Sequence, residues 1–199
     1  ETHQGIFDLS YLGTIPNMSI FAPKNDSELA AGLEFGLMNY NGPFAIRYPR
    51  GKACTRFREF NEPVLYGKSE VLYMEKDIAL LAVGSMVETA SDVRDKLKEK
   101  GYNVSLINAR FVKPVDTTVI HRCADNHQLL VTLEENVYTG GFGERVCHYV
   151  EEACLNIKVL NISLPDDYVE HGNVEILKAE EGINVDSVIT RVESFYNNM

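Results

Sequence analysis

The run Asp77-Ile78-Ala79-Leu80-Leu81-Ala82-Val83-Gly84 limits the possible folds of this chain more than any other stretch. It is apolar without alternation and too short for a buried helix. It therefore predicts a strand covered on both faces, the usual state of strands in parallel sheets flanked by helices. Gly84-Ser85 then turns the chain into a helix bearing Val87, Ala90, Val93 and Leu97, which Gly101 stops. The same alternation continues downstream. Strands are expected over 104–108, 129–133 and 159–163, and helices over 116–125 and 141–153. A final amphipathic helix carries Val185, Val188, Ile189, Val192, Phe195 and Tyr196. With an opening strand over 70–73, residues 70–199 predict a complete α/β domain with a mainly parallel sheet.

The first part of the chain is thinner. A buried strand is expected over 18–22, closed by Pro23. A helix capped by Asp26 or Ser27 should follow to about Met38, with Leu29, Leu33 and Leu37 at spacing four. Asn41-Gly42-Pro43 breaks it. A short strand over 44–47 ends at Tyr48-Pro49-Arg50-Gly51. Two strands and one helix read as the tail end of a larger domain. Residues 55–69 read as a linker, pinned to a surface by Phe57, Phe60, Pro63 and Tyr66. The expected division is thus 1–54, 55–69 and 70–199. The opening Glu1-Thr2-His3-Gln4-Gly5, without an initiator Met, reads as a start inside a domain.

Charge excludes some functions. Nineteen Lys and Arg against 29 Asp and Glu give a net charge of −10, which disfavours a nucleic-acid partner. Small anionic substrates stay open, because a few cationic side chains can dominate a cleft. No apolar run approaches the roughly 20 residues needed to cross a bilayer, and no signal peptide is seen. The four cysteines, Cys54, Cys123, Cys147 and Cys154, lack C-x-x-C spacing. They read as small hydrophobes in a reducing compartment, with Cys147 and Cys154 on one helix face.

Several residues could carry chemistry. His3, beside Gln4-Gly5, can reach a ligand or be a solvated loop histidine. Arg47 and Arg50 follow a buried strand, and ligands of parallel sheets lie beyond the carboxyl ends of strands. Either arginine could grip a phosphate or carboxylate through paired hydrogen bonds, or form a surface ion pair. Gly140-Gly141-Phe142-Gly143 could expose amides to an anion, but lacks phosphate-loop spacing and reads better as close backbone packing. Glu134-Glu135 could do acid–base work or cap that turn; with no nucleophile nearby, the structural role leads. His121, His127, His148 and His171 show no metal-ligand spacing. Pattern alone reaches an acidic α/β protein with a candidate anion site near His3 and Arg50.

Ordered strings carry the reading further. Thr2-His3-Gln4-Gly5-Ile6-Phe7-Asp8-Leu9-Ser10-Tyr11-Leu12, Ile15-Pro16-Asn17-Met18, Ala22-Pro23-Lys24 and Gly42 to Gly51 resemble the transketolase-type pyrimidine-binding domain. Ala109 to Asp116, Thr132 to Asn136 and Gly140 to Gly143 resemble the transketolase C-terminal domain. Leu164-Pro165-Asp166 and Val169-Glu170-His171-Gly172 bring the wording closest to thiamine-diphosphate synthases of the 1-deoxy-D-xylulose-5-phosphate type.

That resemblance implies a truncated pyrimidine-binding domain followed by a complete C-terminal domain. The family joins pyruvate to D-glyceraldehyde 3-phosphate with loss of CO2, serving isoprenoid, thiamine and pyridoxal biosynthesis. It implies thiamine diphosphate and Mg²⁺ in the full-length enzyme, a homodimer, and a bacterial cytoplasm or plastid stroma. By resemblance His3 is the catalytic histidine, Arg50 binds the acceptor phosphate, and Arg47 is the second candidate for that role. The family's Mg²⁺-holding motif and its cofactor-activating Glu have no counterpart here. The chain alone is therefore expected to bind no cofactor and to be inactive, its second domain serving structure and assembly. The alternatives are another thiamine-diphosphate enzyme, such as transketolase or a 2-oxoacid dehydrogenase β subunit, or a dimerisation module without catalysis.

Overall fold

A computed structural model describes residues 4–199. A 3-10 turn, Gly5–Phe7, leads into α1 (Asp8–Gly13), β1 (Ser19–Phe21), α2 (Asp26–Glu34) and β2 (Phe44–Ile46). After a long irregular segment come β3 (Glu70–Tyr73), β4 (Asp77–Ala82), α3 (Met86–Glu99), β5 (Val104–Asn108) and β6 (Phe111–Lys113). The remainder is α4 (Thr117–Asn126), β7 (His127–Val137), α5 (Phe142–Glu152), β8 (Lys158–Leu164), α6 (Val174–Glu180) and α7 (Val185–Asn197).

The apolar run of residues 78–83 occupies the centre of a five-stranded sheet ordered β3-β5-β4-β7-β8. β4 pairs parallel with β5 and with β7, and β8 continues the parallel order; only β3, at one edge, is antiparallel. Alternate side chains of β4 feed two cores. Ile78, Leu80 and Ala82 pack with Val87, Val93 and Leu97 of α3 and Val188 and Val192 of α7. Ala79, Leu81 and Val83 pack with Ile120 of α4 and Phe142 and Val146 of α5. Each such leucine or isoleucine contributes about 2 kcal/mol on leaving water, which is why an unbroken apolar run is needed here.

The first part of the chain is not a separate body. Leu9, Ile20 and Ala22 belong to the second of these cores. A three-stranded sheet, ordered β2-β1-β6, draws β6 from the second part of the chain to pair antiparallel with β1. Phe21, Phe35 and Phe111 close over it, with Phe21 and Phe111 meeting edge to face at 5.1 Å. The sequence reading did not anticipate β6, because Phe111-Val112-Lys113 is too short to show periodicity.

Three local expectations are corrected. The cap of α2 is Asn25, whose side chain accepts the Glu28 N–H at 2.9 Å; Asp26 and Ser27 are already in the first turn. The helix then widens into a π turn, Phe35–Asn39. Its inward face is not the leucine stripe, for Leu33 and Leu37 are 47% and 80% exposed. Glu28, Gly32 and Phe35 face inward instead. Gly32 lies so near the Phe21 ring that a Cβ would meet it at 2.3 Å, so close approach rather than leucine packing orients the helix. Cys154 lies past the end of α5, not on its face with Cys147.

One buried ion cluster joins the parts. Lys24 Nζ lies 3.2 Å from Glu28 and 2.6 Å from Glu70. The Arg110 guanidinium donates to Glu28 at 2.6 Å and lies 2.9 Å from Glu70. None of the four side chains is more than 2% exposed. Asn108 donates to Glu28, and Arg110 also donates to the carbonyls of Glu62 and Pro63 in the irregular segment. Two cations and two anions balance in charge, and their mutual attraction offsets part of the cost of taking four ions out of water.

The start of α5 has a different anchor. The Glu134 carboxylate, at the end of β7, accepts the N–H groups of Phe142 and Gly143, each at 2.8 Å. A Cβ on Gly141 would come within 2.7 Å of that carboxylate, and one on Gly143 within 2.5 Å of Asn161, so the glycines serve close packing as expected. Burial pushes the Glu134 carboxyl up to about 7, despite the two N–H donors that favour its ionised form.

Two predictions follow from these anchors. Glu28→Ala strands two buried cations on one carboxylate and should cost about 3–5 kcal/mol in urea unfolding; a loss under about 1 kcal/mol would show the cluster to be only a surface-like pair. For Glu134, the folded protein holds the proton more tightly than the unfolded chain. Its contribution is full below the ordinary carboxylate range and lost as pH rises through about 7. Glu134→Gln should flatten that decline in stability between pH 4.5 and 7, and an unchanged slope would contradict this account of Glu134.

Candidate functional site

The site builds from the end of β2. Parallel pairing with β1 carries the chain to Arg47, whose N–H donates to the Phe21 carbonyl at 2.8 Å. Pro49 then stiffens the exit and presents Arg50 at the surface. The two arginines have different situations. Arg47 is largely buried: its guanidinium donates to the Glu135 carboxylate at 3.1 Å and to the Glu135 backbone carbonyl at 3.2 Å. Arg50 is exposed, and no ion-pair partner for it occurs among the described residues. His3, the third residue singled out from the sequence, lies outside the described residues.

Arg50, with Pro49 and Ser85, forms a ridge between two cavities. One, of about 590 Å³, is lined by Tyr48, Lys52, Arg56 and Glu88, and by Asn25 and Leu29 at the start of α2. The other, of about 330 Å³, is mainly apolar, with Ile6, Val169, Val174, Leu177 and Ile183 in its wall. Both are walled by residues from the two parts of the chain. The second part, expected from the sequence to serve structure and assembly, thus also lines the cavities on either side of Arg50. Its segment 164–183, including α6, forms most of the smaller cavity. That segment is held to the chain start by Gln4 donating to the Val169 carbonyl and by Phe7 meeting Tyr168 edge to face at 5.5 Å.

Residues 134–136 organise this junction. Successive side chains of a strand point to opposite faces, so Glu134 and Glu135 do not share a site. Glu134 turns to α5. Glu135 accepts from Arg47, from Ser85 Oγ at 2.5 Å and from Lys178 of α6 at 2.9 Å. Burial would raise its carboxyl, but the flanking Lys178 and Arg47 cations outweigh it and hold it at about 2. Asn136 turns back to α1, accepting the Leu9 N–H at 3.2 Å and donating to Ser10 Oγ at 2.8 Å. The reading of Glu134-Glu135 as structural fits these contacts. What no spacing rule could show is that consecutive residues serve three different elements.

Among the described residues no group of three or more His, Cys, Asp or Glu could hold a metal ion. His127 is buried between Ser105 and the Cys123 carbonyl, His121 meets Tyr149, and burial pushes the Cys123 thiol up to about 12. None of these lines the Arg50 ridge. No helix among the described residues is long and apolar enough to cross a membrane.

Known proteins match along the whole chain. The transketolase C-terminal domain matches residues 67–188 and the transketolase pyrimidine binding domain residues 1–55. A 1-deoxy-D-xylulose-5-phosphate synthase of Lachnoclostridium phytofermentans is 44% identical over 193 residues, 96% of this chain and 31% of that protein. The synthase of Dictyoglomus thermophilum is 43% identical over 194 residues, 97% of this chain and 31% of that protein. Among solved structures, one described as a split gene transketolase, inactive beta4 tetramer, superposes with a TM-score of 0.87 at 26% identity, covering 96% of this chain and 61% of that one. The chain thus spans about a third of the length of these curated relatives. With the expected α/β architecture and both domain matches in place, the chain belongs to the transketolase family, carrying its C-terminal domain behind a stretch of its pyrimidine-binding domain.

Proposed function

We propose that this chain forms the acceptor side of an enzyme that condenses pyruvate with D-glyceraldehyde 3-phosphate to 1-deoxy-D-xylulose 5-phosphate, releasing CO2. The relatives that align along nearly its whole length carry that synthase name. The observation that carries the reading is the contrast between the two arginines. Arg47 is committed to Glu135, whereas Arg50 has no carboxylate partner among the described residues and stands between two cavities. A guanidinium in that state suits a phosphate, which it can meet with two parallel hydrogen bonds. Arg50 then binds the acceptor phosphate and orients the aldehyde. Arg47 serves it as an internal anchor. His3 is assigned to proton transfer or substrate binding by resemblance.

Thiamine diphosphate, which the transketolase-type family implies in full-length enzymes, supplies the carbanion chemistry. The described residues form no cluster suited to Mg²⁺. The proposal includes that the chain is inactive by itself, and that the longer protein is a homodimer in a bacterial cytoplasm or plastid stroma. A second reading, a non-catalytic assembly module, draws on the solved relative described as an inactive beta4 tetramer.

With the upstream sequence restored, Arg50→Ala should raise KM for glyceraldehyde 3-phosphate about ten- to a hundredfold, the worth of a charge-assisted hydrogen bond or two. An unchanged KM would remove the phosphate role. Formation of a sugar phosphate from pyruvate separates the synthase from a dehydrogenase subunit. Light scattering on the isolated chain tests the assembly reading, which predicts a defined oligomer; a monomer at high concentration contradicts it.

A further inference from the structure

We infer that Glu135, in the second part of the chain, is a positioning residue for Arg50 and sets the acceptor site from across the junction. The inference rests on the assignment of Arg50 to the acceptor phosphate.

Arg50 makes no ion pair of its own among the described residues, so its place depends on the backbone of residues 47–50. That loop is tied down at its start. The Arg47 N–H holds it to β1, and the Arg47 guanidinium holds it to Glu135 through both the carboxylate and the carbonyl. Pro49 limits what the loop can do between that tie and Arg50. The same carboxylate also grips Ser85, which lines both cavities, and Lys178, which lines the smaller one. One side chain thus gathers the β2 exit, the start of α3 and the strap bearing α6. These are the walls on either side of the Arg50 ridge.

Its charge sharpens the test. Glu135 is one anion between two cations, Arg47 and Lys178. Neutralising it leaves the cavity more positive. If Glu135 acted only through the local field, Glu135→Gln would tighten binding of a phosphorylated acceptor. If it positions Arg50, the same change frees Arg47 and Lys178 to repel each other, the loop keeps only its backbone-carbonyl and β1 contacts and loses the ionic part of its tie, and acceptor binding weakens. The two effects have opposite signs.

The experiment uses the longer protein that carries this chain, with steady-state kinetics on both substrates. Glu135→Gln should raise KM for glyceraldehyde 3-phosphate about tenfold or more, as misplacing a binding group by an ångström or less can do. KM for pyruvate should stay within about twofold, since the tie leads to the Arg50 loop, which is assigned to the acceptor. Arg47→Gln, which leaves the Glu135–Lys178 pair intact, should act in the same direction. The double variant should be no worse than the more affected single one, because both cut the same tie. A fall or no change in acceptor KM for Glu135→Gln, with melting temperature lowered or not, overturns the inference. Equal rises for both substrates, or additive effects of the two changes, overturn it as well. Arg50→Ala measured alongside separates the two failures: no effect of Arg50→Ala removes the phosphate site itself, whereas an effect of Arg50→Ala without one of Glu135→Gln removes only the positioning role.

Discussion

The buried cluster of Lys24, Glu28, Glu70 and Arg110 is the constraint on which the rest of this structure depends. Charges this deep are tolerated only when they balance and their remaining hydrogen bonds are met. Here each part of the chain brings one cation and one anion, and the cross pairs Lys24–Glu70 and Arg110–Glu28 bind the two parts together. Lys24 precedes the cap of α2 and Glu28 lies in its first turn; Glu70 opens β3 and Arg110 follows β5; the carbonyls of Glu62 and Pro63 accept from the arginine as well. Separating the parts would break the two shortest contacts of the cluster, Lys24–Glu70 and Arg110–Glu28, both at 2.6 Å. The shared core around Leu9, Ile20 and Leu81 and the pairing of β1 with β6 point the same way.

With the two parts locked, the end of β7 becomes the place where several elements can be joined. Glu134, Glu135 and Asn136 each leave the strand toward a different partner: α5, the Arg50 loop with α3 and α6, and α1. The two carboxylates show how environment decides role. Burial without a cation in contact raises Glu134, and two adjacent cations lower Glu135. One is a helix anchor and the other an ionic tie, although the residues are identical and adjacent. The C-terminal domain thereby lines a cavity beside Arg50, a residue of the first part.

What was legible in the sequence was what burial and period dictate. The central strand, its parallel neighbours and the helices between them follow from apolar runs and from helical spacing, because both cores impose those patterns. Arg50 was legible as a residue beyond a strand end. The role of Arg47 was not, because its partner lies 88 residues away and no local signal marks a long-range ion pair. The same applies to Lys24 and Arg110. The leucines of α2 misled for a physical reason: spacing four shows that a face exists, not which face is inward, and Gly32 against Phe21 decided that. β6 escaped because its register comes from β1 and the aromatic cluster rather than from its own three residues.

The central claim is that the two parts form one cooperative body, so that a residue of the second can set a site presented by the first. Differential scanning calorimetry of this chain tests it most directly. The account predicts a single transition in which calorimetric and van't Hoff enthalpies agree. Two resolved transitions, or a calorimetric enthalpy well above the van't Hoff value, would show that the parts melt independently and would contradict it.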